Sequence, residues 1–290
     1  RRCSRSAVNA VLSARVSDEA KRNILGGNAR RVFGLGNAEV VMREPWLAHS
    51  AIDVHCHFEV NGFPTEPVVD SRLASELTRF GVRTVIASSL VAIASDLEAG
   101  NAAMAAACAA PDQLGYVVAD PNDLDATRSA LRRHSGREVV GVKVHCEYSH
   151  QPTASRAIWD LFELLAQDGR PVKIHNDGPG WDQALLEVAR ARAKLPIIVA
   201  HGGLGTPSLE AARLAAETDN VYLELSSSFA DRATVAELVN IAGTERLLFG
   251  SDAPLLNPAF VIGTYLDAGI PDEGWEAVWR GNARRLFDLS

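Results

Sequence analysis

The chain has 290 residues, 47% hydrophobic and 22% charged, with a formal net charge of −7; it can bury one large core, and a closed α/β barrel commonly takes about 250 residues. The acidic balance argues against nucleic acid as the main partner. Apolar runs such as Ala102 to Ala110 fall short of the roughly 20 residues a membrane helix needs, the arginine-bearing start lacks the apolar core of a secretory signal, and the four cysteines form no CxxC pair, so a cytoplasmic protein with no membrane association is expected.

Residues 1–37 precede the first strand-like segment and are read as a helical arm, apart from a second region over 38–290. They hold eight Lys/Arg against two Asp/Glu, which leaves −13 for the rest of the chain; an arm of that sign can dock on an acidic body, its own or a partner's. Residues 16–35 align without gaps on 270–289 and share Asp-Glu, then Gly-Asn-Ala-Arg-Arg-x-Phe-x-Leu. The segment therefore looks like a second copy of the last helix. Val16, Ala20, Ile24, Val32, Phe33 and Leu35 would line its apolar side, and burying such side chains is worth about 1.5–3 kcal/mol each, so the arm is expected to cover a second surface.

From residue 50 onward, strand and helix alternate eight times. Short Val/Ile/Leu-rich runs bounded by Gly, Pro, Asp or Asn predict strands at 50–57, 82–90, 114–119, 138–145, 171–175, 196–201, 220–225 and 246–251. Helices are predicted at 70–80, 97–110, 123–134, 154–168, 181–192, 207–218, 231–242 and 272–286, with Asp70, Asp123 and Asp231 as caps or first-turn acids. Eight such units with strands this apolar favour a closed parallel (β/α)8 TIM barrel, because an open sheet would leave edges.

Several of these strands end in a metal-type ligand. Alternation along a strand puts His55 and His57 on one side and Ile52, Val54 and Cys56 on the other. The same parity places His175 opposite Val172 and Ile174, His201 opposite Ile198 and Ala200, and Asp252 opposite Leu247 and Phe249. A lone inward histidine is more often a hydrogen-bonded core residue than a ligand. Four strands ending in His or Asp, however, would bury several polar groups without partners unless something binds them, and a divalent cation suits imidazole and carboxylate together.

The order His-x-His on strand one, His on strands five and six and Asp on strand eight resembles the amidohydrolase superfamily. The wording resembles its branch that includes aminocarboxymuconate semialdehyde decarboxylase: Arg79-Phe80-Gly81-Val82, Ala119-Asp120-Pro121, Gly141-Val142-Lys143-Val144-His145, Gly250-Ser251-Asp252-Ala253-Pro254 and Gly281-Asn282-Ala283-Arg284-Arg285-Leu286-Phe287. The resemblance implies that His55, His57, His175 and Asp252 hold one metal ion, zinc or else manganese. It implies Asp252 and His201 as catalytic groups. Lys143 either pairs with a substrate carboxylate or a nearby acid or, as in some amidohydrolases, is carboxylated and bridges two metals. His145 and Trp181 are candidate substrate contacts by place, as are Asp177, Glu147 and Ser226 to Ser228.

The implied activity is hydrolysis of a small or peptide-like substrate at an amide, lactone or ester carbonyl by a metal-activated water. The alternative is non-oxidative decarboxylation of an unsaturated or aromatic carboxylic acid. A third reading is a weakly active barrel serving as a scaffold, against which the intact ligand set speaks. For the arm, the expected partner is a second subunit of a homo-oligomer or an amidohydrolase-like partner chain.

Overall fold

The computed structural model describes residues 4–36, 50–59 and 69–289; the 37/38 boundary and the segment 61–67 lie outside them. Three helices come first: α1 (Ser4–Ser13), α2 (Asp18–Arg22) and, after a π turn over Asn23–Gly27, α3 (Asn28–Phe33). Then follow β1 (Ala51–Phe58), α4 (Leu73–Leu77), β2 (Val82–Ser89), α5 (Leu90–Ala94), α6 (Leu97–Ala107), β3 (Gln113–Ala119), α7 (Leu124–Arg133), β4 (Val139–His145), α8 (Cys146–Ser149) and α9 (Arg156–Asp168). The chain continues through β5 (Val172–His175), α10 (Trp181–Ala191), β6 (Ile197–Val199), α11 (Leu209–Ala216), β7 (Val221–Glu224), α12 (Arg232–Ala242), β8 (Leu247–Leu248), α13 (Pro258–Asp267) and α14 (Asn282–Phe287).

The eight strands pair in chain order, each parallel to the next. Backbone bonds from Val54 N to Phe249 O (2.9 Å) and from His57 N to Ala253 O (2.8 Å) join the last strand region to the first. This is the expected (β/α)8 TIM barrel. Side-chain caps start its helices where the sequence implies: Asp123 accepts from Ala126 N, and Asp231 from Ala233 N and Thr234 N, which satisfies otherwise orphaned first-turn amides. Asp70 instead accepts from the backbone N–H of Glu59.

Two apolar layers hold the barrel. One lies between strands and helices and includes Cys56, Phe58, Val85, Val117, Val142, Ile174 and Leu223. The other plugs the interior, where Ile52, Val54, Ile86, Tyr116, Ile198 and Leu248 meet Ala283 and Phe287 of α14. Above this plug Lys173 crosses the barrel, its Nζ donating to Val54 O at 2.9 Å and standing 4.5 Å from the Tyr116 ring centroid.

Strict alternation fails on β1, whose pairing with β2 is irregular between Asp53 and Cys56. Val54 joins the interior plug while Cys56 lies in the outer layer, although both were expected on the side away from the histidines. A local irregularity of this kind re-aims successive side chains. Strands six and eight are shorter than expected, so His201 and Asp252 sit in turns beyond them, at φ of 59° and 60°. The short helices α5 and α8, and α13, were not anticipated, since their runs lack a long helical period. No helix among the described residues is long and apolar enough to cross a membrane.

The arm is helical and buries none of the residues of α2, the π turn or α3. By contrast, α1 is docked on α13: Ser6 and Thr264 hydroxyls lie 3.4 Å apart, and Arg5 N donates to Asp267. Gly263 makes this approach possible, because a Cβ there would stand 2.3 Å from Ser6 N. Gly263→Ala should therefore force the two helices apart and cost about 1–3 kcal/mol, read as a lower melting temperature and faster proteolysis within residues 1–20. Equal melting and equal protease resistance would contradict this packing.

Candidate metal centre

The C-terminal mouth of the barrel gathers five histidines and two carboxylates. His55 and His57 come from β1, His145 from the end of β4, His175 from the end of β5, His201 from the turn after β6, Glu224 from the end of β7 and Asp252 from the turn after β8. Each is delivered by a strand end because the apolar strand body is anchored in the core while its last residues open to the mouth.

His55, His57 and Asp252 present ligand atoms within 4.8 Å of one another. The Nε2 atoms of both histidines face the same oxygen of Asp252, at 3.4 Å from His55 and 3.0 Å from His57. Burial lowers the pKa of both imidazoles, so they stay neutral and able to act as ligands. For Asp252, burial would raise the carboxyl pKa, but His57, His201 and Lys143 together hold it below its usual value.

Glu224 explains the orientation of this cluster. Its carboxylate accepts from His55 Nδ1 at 2.7 Å, from the backbone N–H of His201 at 2.6 Å and from that of Ser226 at 2.8 Å. With the proton on Nδ1, neutral His55 points a lone pair from Nε2 at an Asp252 oxygen. Two acceptors face one another there, an arrangement that a cation between them resolves. The donor set thus fits a divalent metal ion. His201 Nδ1 is turned onto the carbonyl and hydroxyl oxygens of Ser226, which leaves Nε2 for other partners.

His175 lies in the ring but outside that trio. It stacks on His145 with ring centroids 4.1 Å apart, stands 4.9 Å from the His201 ring, and its Nε2 faces Glu147 at 3.6 Å. His145 accepts from Tyr148 N at 3.4 Å and so caps α8. Lys143 is fully buried, and its Nζ meets no hydrogen-bond acceptor among the described residues. Trp181 is buried in the outer apolar layer at the start of α10.

Two carboxylates of this centre were not singled out from the sequence. Glu224 ends β7 opposite Leu223, the same terminal position that marks His175 on β5, so the signal was present. Asp53 is fully buried and accepts from the backbone N–H of His55 and of Ser251, both at 3.0 Å, and from the Ser251 hydroxyl. It ties β1 to the turn carrying Asp252. Burial raises its pKa to about 6, against the lowering effect of those bonds.

Comparison with known proteins agrees with this fold. No curated protein sequence matches the chain. Among solved structures of like fold, 2,6-dihydroxybenzoate decarboxylase from Rhizobium is 18% identical, with a TM-score of 0.63 over 83% of this chain and 99% of that one. A dihydroxybenzoic acid decarboxylase from a Polaromonas species, solved with manganese and the inhibitor 2-nitroresorcinol, is 19% identical, with a TM-score of 0.64 over 83% and 97%. 5-Carboxyvanillate decarboxylase from Sphingomonas paucimobilis is 15% identical, with a TM-score of 0.63 over 84% and 100%. The amidohydrolase family model matches residues 52–289, which is most of the chain, so the protein belongs to the amidohydrolase family.

Proposed function

We propose that the chain is a metal-dependent, non-oxidative decarboxylase of an unsaturated or aromatic carboxylic acid. The observation that carries this reading is Lys143, an ammonium buried at the histidine ring without a hydrogen-bond partner among the described residues. Burial brings its pKa down to about 8, with Asp252 and Glu224 opposing the shift. A buried cation without hydrogen bonds is costly, and a substrate carboxylate supplies the missing charge. A neutral amide, ester or lactone does not. The decarboxylases of like fold support the same choice. Hydrolysis, the first expectation from the sequence, stands second: Asp252 beside two histidines could also orient a water, and the ligand set is common to both reactions.

His55, His57 and Asp252 would hold the ion, with His175 proposed as the fourth ligand. A bound divalent ion, manganese or zinc, supplies positive charge for substrate oxygens. Lys143 would pair with the carboxylate of the bound acid. As the bond to the carboxylate carbon breaks, carbon dioxide leaves and the electron pair stays on the substrate carbon, which must take a proton. Asp252 and His201 are the groups placed to carry it. His201 is held for this by Ser226 and Glu224.

The reading is tested by incubating manganese-loaded protein with hydroxybenzoates and other unsaturated acids while measuring carbon dioxide, beside a panel of esters, lactones and amides. Carbon dioxide release from at least one acid is expected, with Lys143→Met raising KM for it. Hydrolysis of a neutral carbonyl substrate with no acid decarboxylated would reverse the order of the two readings. Metal removal is checked separately. Chelator-treated protein should regain one ion per chain, and a free ion concentration of about 100 Kd should add about 2.7 kcal/mol of stability. Absence of both binding and any rise in melting temperature would remove the metal from the proposal.

A further inference from the structure

The repeat at the start of the chain extends further in three dimensions than in sequence. Helix α1 spans 4–13 and α13 spans 258–267; the π turns span 23–27 and 277–281; α3 spans 28–33 and α14 spans 282–287. Every pair is offset by 254 residues, from 4 to 258 and from 28 to 282 alike. Each copy ends on a left-handed residue, Gly34 or Asp288. Each closes with the same backbone bond at 2.9 Å, Leu35 N to Arg30 O and Leu289 N to Arg284 O. Residues 4–35 thus reproduce the whole closing unit of this barrel, helix and plug segment together.

The two copies differ in what covers them. In the C-terminal copy Val278, Trp279, Ala283 and Phe287 are buried, and the Asn282 amide donates to the carbonyls of Thr244 (2.8 Å) and Leu247 (2.7 Å) on the barrel floor. In the N-terminal copy the equivalent Ile24 is 57% and Phe33 73% exposed, and Asn28 and Ala29 are exposed too. The two equivalent helices α1 and α13 pack antiparallel, with Arg5 at Asp267 and Ser13 at Asn257. An antiparallel pair of equivalent helices is what a two-fold contact between two barrels presents.

We propose that residues 4–35 close a second barrel of the amidohydrolase type, whose floor seats on Ile24, Asn28, Ala29 and Phe33 and which lies beside this barrel across the α1 and α13 pair. The occupant is a barrel whose own closing position is vacant. It is not an intact second copy of this chain, because that floor is already filled by residues 277–287. The exposed face has the shape and the amide donor of its buried counterpart, so it requires the same floor: an apolar socket with two free carbonyls at its rim.

The test uses full-length chains. An acceptor carries Val278→Asp and Phe287→Asp, which empties its floor, and Ile24→Asp and Phe33→Asp, which disables its own arm. The donor is the unaltered chain with a photo-crosslinking phenylalanine analogue at position 33. If the acceptor stays folded, sedimentation should show a one-to-one complex with crosslinks near Thr244 and Leu247. If the acceptor unfolds alone, adding donor should restore its helical circular dichroism and cooperative melting. A donor with Ile24→Asp should do neither. No complex and no recovery, or crosslinks away from the floor, would overturn the proposal.

Discussion

Asp252→Asn should reduce turnover by about 10²-fold or more while the fold persists. The residue sits at φ 60°, a conformation that Asn tolerates as Asp does, so the backbone of the turn is retained. What changes is the oxygen that both His55 and His57 face, at 3.4 Å and 3.0 Å. In the proposed reaction, a neutral amide would remove the negative charge from the ligand set and the proton carrier from the substrate. Turnover should be measured with saturating metal on the substrate found above, alongside a thermal melt. Near-normal turnover would remove Asp252 from the chemistry, and a collapsed melting transition would mean that its role is in folding.

Glu224→Gln should weaken metal binding by about 10- to 100-fold, the usual effect of losing a partner that orients a ligating histidine. The carboxylate is completely buried and takes three N–H donors, from the His55 ring and from the backbones of His201 and Ser226. An amide in its place has only one acceptor oxygen, and its NH2 group must face a donor. Leaving a buried donor unmatched costs about 1–3 kcal/mol, so melting temperature should fall as well. Competition with a chelator separates the two effects: a structural role alone would lower stability and leave metal affinity unchanged. In the His55→Asn background the further loss of affinity from Glu224→Gln should be small, because the ring that Glu224 orients is already gone.

Much of this protein was legible in its sequence. The eight strand segments follow from short β-branched runs whose burial is dictated locally, and α/β alternation leaves few architectures. The convergence of His55, His57 and Asp252 was legible for the same reason: residues at the ends of parallel strands share one face of a barrel. The duplicated Gly-Asn-Ala-Arg-Arg was plain as a pattern, and it marked a helix outside the ring.

What only the tertiary structure decided concerns contacts between distant segments. Asp252 meets His57 across 195 positions and Glu224 meets His55 across 169, and no local period encodes such pairs. The positive φ values of His201 and Asp252 depend on how each turn is held by neighbouring strands, as Glu224 holds His201. His175 turned toward His145 and Glu147, and Trp181 went into the apolar core, because side-chain direction past a strand end is set by packing. The equivalence of α1 with α13 was likewise hidden: the two sequences share little, and only identical boundaries and an antiparallel contact reveal the unit. Sequence periodicity specifies which face a residue takes within its own element; partner, rotamer and unmatched charge are properties of the assembled barrel.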